Sequence, residues 1–157
     1  MSSTDVSGKT GQPESALGVD MNLEVVTLPV ADVDRSKAFY QRLGWRLDID
    51  LVISDEVRNV QFTPPHSGCS IQFGKGRTAA LPGSAEAMIL VVKDIDAARD
   101  DLINRGVDVS EVQEMKPPGF DAPGRSYFAR ASFSDPDGNG WELQEITTRL
   151  PGRSWED

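Results

Sequence analysis

Two stretches of this chain repeat one pattern, and the repeat limits the possible folds more than any other feature. Residues 28–32 and 90–94 both follow Leu-x-Val-x-Asp at a separation of 62 positions, and Gly44 and Gly106 have the same separation. Each Asp follows a β-rich run and suits a helix N-cap, and each Gly suits the left-handed residue after a helix. The repeat therefore predicts two modules of one design.

Each module is predicted to contain one strand, one helix and then three strands. Both helical segments have apolar residues at helical spacing, and the strand segments are short β-rich or alternating runs. The predicted strands are 23–30, 45–53, 57–63 and 70–73 in the first module, and 88–92, 107–114, 127–134 and 141–146 in the second. We therefore predict an α+β fold of two tandem βαβββ modules, at 22–84 and 85–148.

The last hairpin places one carboxylate on the side of the sheet away from the core. Residues 135–138, Asp-Pro-Asp-Gly, are a strong turn signal. In the strand that follows, alternation puts Trp141 and Leu143 on one side and Glu142 on the other. Trp45 and Trp141 are expected to be core residues, and what Glu142 faces is expected to decide the function.

Composition excludes several kinds of partner. With 16 basic and 25 acidic residues the formal charge is −9, which opposes binding to nucleic acid or to an anionic membrane surface. A single Cys69 closes no intrachain disulfide, and no apolar run approaches the length of a membrane span. We therefore expect a cytoplasmic protein without a nucleic-acid or membrane partner.

The two ends of the chain and one internal loop contain little to bury. Residues 1–21 are expected to form a mobile leader, with an arm lying on another surface as the alternative, and 149–157 a tail. The Pro- and Gly-rich segment 115–126 is predicted to be a loop, either a lid or disordered.

These motifs together resemble the vicinal oxygen chelate superfamily, which includes glyoxalase I, extradiol dioxygenases, fosfomycin-resistance enzymes and bleomycin-resistance binding proteins. The resemblance covers about residues 22–146. It rests on the paired modules, on Arg35-Ser-x-Ala-Phe-Tyr40 and Leu43-Gly44, and on the closing Asp-Pro-Asp-Gly-Asn with its x-Glu-Leu. It implies sheets curled into a half-open cup, and a homodimer in which sheets or cups are completed across the interface.

The resemblance also locates the metal ligands of the superfamily's enzymes, two from each module. Carried over to this chain, these positions are Val25, Gln72, Ala87 and Glu142. Two hydrocarbon side chains, one amide and one carboxylate are not a donor set for a divalent transition metal. The sequence therefore predicts no metal and no cofactor. His66 lies in a turn-like stretch and is interpreted as a loop residue, with a ligand role as the alternative.

Strand alternation predicts what the cup contains instead of a metal. The candidates combine hydrocarbon with a few hydrogen-bonding groups, which is the usual makeup of a small-molecule pocket. The predicted ligand-binding residues are Val25, Thr27, Gln72, Ala87, Ile89, Phe128, Arg130, Glu142 and Gln144. Glu142 has a second interpretation, as a solvated residue or an ion-pair partner of Arg130. Arg58 and Arg125 are expected to be surface charges.

Three functions remain open at this point. The one we favour is a metal-free protein that binds or sequesters a small hydrophobic or aromatic molecule, as the bleomycin-resistance members do. The second is a metal-free enzyme in which Glu142 is the catalytic general acid or base. The third is a metal-dependent lyase, isomerase or dioxygenase with displaced ligands.

Overall fold

The structure, a computed structural model, describes residues 18–119 and 124–149. Its elements occur in the order βαβββ–βαβββ, which confirms the α+β fold of two tandem modules. The first module contains β1 (Val25–Thr27), α1 (Val33–Arg42), β2 (Arg46–Ser54), β3 (Val57–Thr63) and β4 (Ser70–Lys75). The second contains β5 (Met88–Val92), α2 (Ile95–Asn104), β6 (Gln113–Glu114), β7 (Ala129–Ser134) and β8 (Gly140–Glu145). Residues 1–17 of the predicted leader and 150–157 of the tail lie outside the described residues.

Each module forms its own four-stranded mixed sheet, and the two sheets have the same topology. The strand orders are β1-β4-β3-β2 and β5-β8-β7-β6. The first strand of each module runs parallel to the last, while the other neighbours are antiparallel. The repeat in the sequence is therefore a repeat in the fold.

Both helices begin and end at the predicted residues. Asp32 Oδ1 accepts a hydrogen bond of 3.0 Å from Arg35 N, and Asp94 Oδ1 accepts one of 3.1 Å from Ala97 N. Gly44 and Gly106 follow the helix ends with φ of 81° and 84°, the left-handed conformation that glycine adopts freely. In the described part of the chain, no helix is both long and apolar enough to cross a membrane.

One hydrophobic core joins the two modules. It contains Tyr40 and Phe39 of α1 together with buried residues of both sheets, and the predicted core residues Trp45 and Trp141 are both in it. The buried strand residues are Val60, Phe62, Ile71 and Phe73 in the first sheet and Ala129, Ala131, Phe133, Trp141 and Leu143 in the second. One face of each sheet is thus covered by the core, and we call the opposite face the open face.

Three strands are shorter than predicted, for different reasons. The segment 23–30 pairs over three residues only; Leu28 N still donates to Gln72 O, but the Pro29 carbonyl accepts from Gly83 N, outside the sheet. Only the last two residues of 107–114 form a strand, and at Ser110 the side-chain Oγ, not the backbone, accepts from Ser132 N. The strand predicted from Tyr127 begins at Ala129, because Tyr127 has a φ of 72°.

The Asp-Pro-Asp-Gly-Asn turn holds the modules together. Asn139 Nδ2 donates to Pro29 O at 2.9 Å and to Asp135 Oδ2 at 2.8 Å. Asp137 Oδ1 accepts from the Arg35 guanidinium at 2.9 Å, at the start of α1. A turn of the second module therefore hydrogen-bonds to the segment joining β1 and α1 in the first.

Candidate ligand-binding site

A cavity of about 680 Å³ lies on the open face of the second sheet, and we call it the cup cavity. Its apolar lining comes from Met115, Pro117 and Phe128, and its polar lining includes Arg130 and Glu142. The other residues that line it are Ser110, Gln113, Tyr127, Ala131, Ser132 and Gln144. This size and this mixture are typical of a small-molecule site.

Alternation along β7 and β8 places the polar side chains in the cup cavity. In β7, Ala129, Ala131 and Phe133 are buried in the core, while Arg130 and Ser132 are exposed on the open face. In β8 the core residues are Trp141 and Leu143, and the partly exposed Glu142 lies between them. The predicted orientation of these two strands is confirmed.

Arg130 and Glu142 form an ion pair in the lining of this cavity. Arg130 Nη1 lies 3.3 Å from Glu142 Oε2, and the side chains are 47% and 33% exposed. The ion pair with Arg130 that the sequence suggested for Glu142 is therefore present, and Glu142 still lines the cavity. A pair this exposed adds little to stability, so both groups stay available to a ligand.

Gln144 lines the cup cavity and also supports another lining residue. Its side chain is buried, and Nε2 donates a hydrogen bond of 3.0 Å to the Tyr127 carbonyl. Gln144 thus fixes the backbone at the point where the chain enters β7.

A second cavity of about 790 Å³ adjoins the first. The two share Ser110, Ser132 and Glu142, so Glu142 lies where they meet. The predicted residue Ala87 lines this second cavity. Its lining also includes the charged residues Arg42, Glu86, Asp108 and Asp135. The second cavity is therefore the more highly charged of the two.

The remaining predicted residues lie elsewhere. Ile89 pairs with Glu142 in the register of β5 and β8 and is 47% exposed. Val25, Thr27 and Gln72 belong to the first sheet, where Gln72 Nε2 donates to Thr27 Oγ1 at 2.8 Å. These four residues line neither cavity. Within one chain, the nine predicted residues are divided between the two modules.

The first sheet has an unsatisfied polar pair that sequence reasoning missed. Among the described residues, Asn59 Oδ1 and Arg77 Nε are buried without a hydrogen-bond partner. Asn59 pairs with Gly74 in the register, and Arg77 Cγ lies 3.2 Å from where a Cβ on Gly74 would be. Asn59 and Arg77 are therefore both neighbours of Gly74 at the β3–β4 pair, and each keeps one buried polar atom without a partner.

Sequence reasoning also missed several residues of the cup cavity. Met115 and Pro117 belong to the segment predicted to be a loop, whose Pro and Gly content was the available signal. Tyr127 gave no signal, because an unbroken strand from 127 would turn its side chain toward the core. Its left-handed backbone appears only in the structure.

Arg125 was expected to be a surface charge; its side chain is 33% exposed, and it forms ion pairs that the sequence did not predict. Its guanidinium donates to Asp96 at 2.6 Å and to the buried carboxylate of Glu145 at 2.8 Å, and these bonds raise the pKa of Arg125. Glu145 Oε1 in turn accepts from Ile95 N at 3.1 Å. Arg125 therefore links the end of the loop to β8 and to the start of α2.

The described residues do not fit a divalent metal ion. Within 18–119 and 124–149, no group of three or more His, Cys, Asp and Glu residues has the placement to hold one. Gln72 already hydrogen-bonds to Thr27, and Glu142 pairs with Arg130. His66 lies in a turn between β3 and β4.

Comparison with known proteins is consistent with this fold. The model of the Glyoxalase/Bleomycin resistance protein/Dioxygenase superfamily matches residues 22–143. The chain therefore belongs to this superfamily, and the resemblance proposed from the sequence is confirmed. A comparison with curated proteins found no match.

Solved structures give the same fold. An antibiotic-binding protein from Streptomyces sp. CB03234 is 27% identical, with a TM-score of 0.66 over 82% of this chain and 98% of that one. A glyoxalase/bleomycin resistance protein from the same organism is 28% identical, with a TM-score of 0.62 over 78% and 99%. A superfamily member from Sphaerobacter thermophilus DSM 20745 is 26% identical, with a TM-score of 0.61 over 80% and 98%.

Proposed function

We propose that this protein binds a small, largely aromatic molecule in the cup cavity and holds it without a metal. The observation that supports this most directly is the cavity itself, in which Met115, Pro117 and Phe128 lie beside the Arg130–Glu142 pair. Apolar side chains supply most of the binding free energy by excluding water, and a few polar groups set the orientation of the ligand.

The ion pair is the orienting element of this proposal. Arg130 presents guanidinium N–H donors and Glu142 presents carboxylate acceptors, so a ligand with a hydroxyl, carbonyl or amide at its edge finds both kinds of partner. Both side chains are partly exposed, and their hydrogen bond is long at 3.3 Å. Exchange of that bond for bonds to a ligand therefore costs little.

One relative supports binding rather than turnover. The antibiotic-binding protein from Streptomyces is a structural neighbour, and the match covers 98% of its length. Its name describes binding, and the donor set of the present chain does not fit the metal of the superfamily's enzymes. An antibiotic or a similar aromatic natural compound is the class of ligand that we propose.

A second copy of the chain is proposed to complete the site. The open face of the first sheet exposes Ile49 and Leu51, which are 40% and 53% accessible. Exposed apolar surface of this kind marks an interaction site. If the first sheet of one copy covers the second sheet of another, Val25, Thr27 and Gln72 join the cup cavity, and the division of the predicted residues is explained.

The test is a titration of the protein with 2-naphthol, a flat aromatic probe with one hydroxyl group. We expect saturable binding by calorimetry, NMR shifts centred on the residues of the cup cavity, and unchanged 2-naphthol on recovery. Arg130→Met should weaken binding several-fold, because it removes a hydrogen bond to a charged donor. Arg105→Met removes a comparable exposed ion pair, with Asp101 on α2, and should have no effect. Absence of binding, or equal effects of the two variants, would contradict the proposal.

A metal-free enzyme that uses Glu142 is the second candidate. The observation in its favour is that the Glu142 carboxylate lines both cavities and is partly exposed. Chemical alteration of a bound compound, abolished in Glu142→Gln with affinity retained, would favour this candidate over binding alone.

A further inference from the structure

Tyr127 has a backbone conformation that is unfavourable for its residue type. Its φ of 72° lies in the left-handed region, where the Cβ of an L residue crowds the carbonyl oxygen that follows. Bulky side chains are rarely found there, whereas glycine adopts the conformation without strain. A glycine at position 127 would form the same turn, yet the chain has a tyrosine.

Two hydrogen bonds to β8 hold Tyr127 in this conformation. Its N–H donates to Glu145 O at 2.7 Å, and its carbonyl accepts from Gln144 Nε2 at 3.0 Å. Both partners are buried residues. The strand that contains Glu142 therefore also fixes the direction in which Tyr127 leaves the backbone.

The strain coincides with the proposed site. Three non-glycine residues among those described have a positive φ, namely His66, Ala87 and Tyr127. His66 lies in an exposed turn, whereas Ala87 and Tyr127 each line a cavity that Glu142 also lines. Strained backbone persists where the surrounding structure enforces it, and it clusters at ligand sites.

We infer that Tyr127 is a ligand-contacting residue whose ring stacks on a planar aromatic ring of the bound molecule. The inference rests on the proposed function and narrows its ligand. Tyr127 lines the cup cavity beside Phe128 and Met115, both favourable neighbours for an aromatic ring. The ligand class is a flat aromatic compound with a hydrogen-bonding group at one edge, which reaches Arg130 and Glu142.

The experiment compares 2-naphthol with decahydro-2-naphthol, a saturated compound with a hydroxyl at the same position and the same ring connectivity. Calorimetric affinity and thermal midpoint (Tm) are measured for the wild type, Tyr127→Gly and Tyr127→Phe. His66→Gly is the matched control. His66 also has a left-handed backbone, so its replacement by glycine relieves the same kind of strain outside the cup cavity.

We expect the wild type to prefer 2-naphthol, and Tyr127→Gly to lose about five-fold in affinity for it. Tyr127→Gly should keep or slightly raise the Tm, because strain is relieved, while Tyr127→Phe keeps the affinity. His66→Gly should leave the affinity unchanged.

Other outcomes separate this inference from the proposed function. Equal binding of the two compounds to the wild type, or an unchanged affinity in Tyr127→Gly, would overturn the stacking role alone. A fall in Tm in Tyr127→Gly would show that the tyrosine is retained for the fold and would likewise overturn the inference. If neither compound binds the wild type, the proposed function fails and the inference fails with it.

Discussion

The Tyr40 hydroxyl donates a hydrogen bond of 2.9 Å to Asp135 Oδ2, and this bond joins the helix of one module to the turn of the other. The same hydroxyl accepts from Trp141 Nε1 at 3.0 Å. All three residues are buried. These two hydrogen bonds therefore cross the core between the modules, where an unpaired donor or acceptor is costly.

Tyr40→Phe should destabilise the protein by about 1–3 kcal/mol, because it leaves Trp141 Nε1 without this acceptor and Asp135 without one donor. The free energy of unfolding in urea measures the effect. Thr78→Val removes a hydroxyl that accepts from Ala80 N in an exposed loop, and it should change stability by less than about 0.5 kcal/mol. Similar losses in the two variants would show that the buried hydrogen bonds of Tyr40 stabilise the protein no more than an exposed one.

Alkaline pH should reduce the contribution of the Tyr40 hydroxyl to stability. Burial, and then the neighbouring Asp135 carboxylate, raise the pKa of Tyr40 well above its ordinary value of 10.0. In the unfolded chain Tyr40 loses its proton near that value, while the folded protein keeps it, so the contribution to stability is complete below pH 10 and falls as the pH rises further. The unfolding free energy of Tyr40→Phe should therefore decline less steeply than that of the wild type between about pH 9 and pH 11. Parallel declines would show that other groups cause the loss.

Gly83→Ala should be more damaging than Gly106→Ala, although both glycines have a positive φ. A Cβ on Gly83 would lie 2.1 Å from the carbonyl oxygen of Asp137, whereas a Cβ on Gly106 would meet nothing within 4 Å. We expect a loss of about 1 kcal/mol for Gly106→Ala from strain alone, and about 2–4 kcal/mol for Gly83→Ala from strain and a backbone clash. Urea unfolding of the pair tests this, and equal losses would mean that the 76–87 segment moves away at little cost.

The proposed dimer can be tested with two adjacent residues of β2. Leu51 pairs with Asn59 on the open face, while Val52 pairs with Arg58, whose side chain reaches Asp34 on α1. Leu51→Asp should reduce the mass measured by light scattering from two chains to one, because it introduces a charge into the proposed interface. Val52→Asp, at a position on the other face that is 66% exposed against 53% for Leu51, should remain a dimer. A monomeric wild type would contradict the proposal.

The sequence by itself determined the two modules and the ends of their helices. Leu-x-Val-x-Asp and Gly44/Gly106 are local signals, since an N-cap carboxylate and a left-handed glycine act within one helical turn. Alternation likewise determined which face of β7 and β8 contains Arg130 and Glu142, because side chains in a strand alternate with a period of two. The turn at 135–138 was equally visible.

Only the tertiary structure decided which of these residues meet. The separation of Val25, Thr27 and Gln72 from the cup cavity follows from how two sheets pack on a shared core, and contacts between distant segments leave no local pattern. The left-handed Tyr127 and the partly buried Arg125–Glu145 pair depend on hydrogen bonds to β8. Such bonds override the strand and surface preferences that a sequence reveals, because tertiary contacts outweigh local propensity.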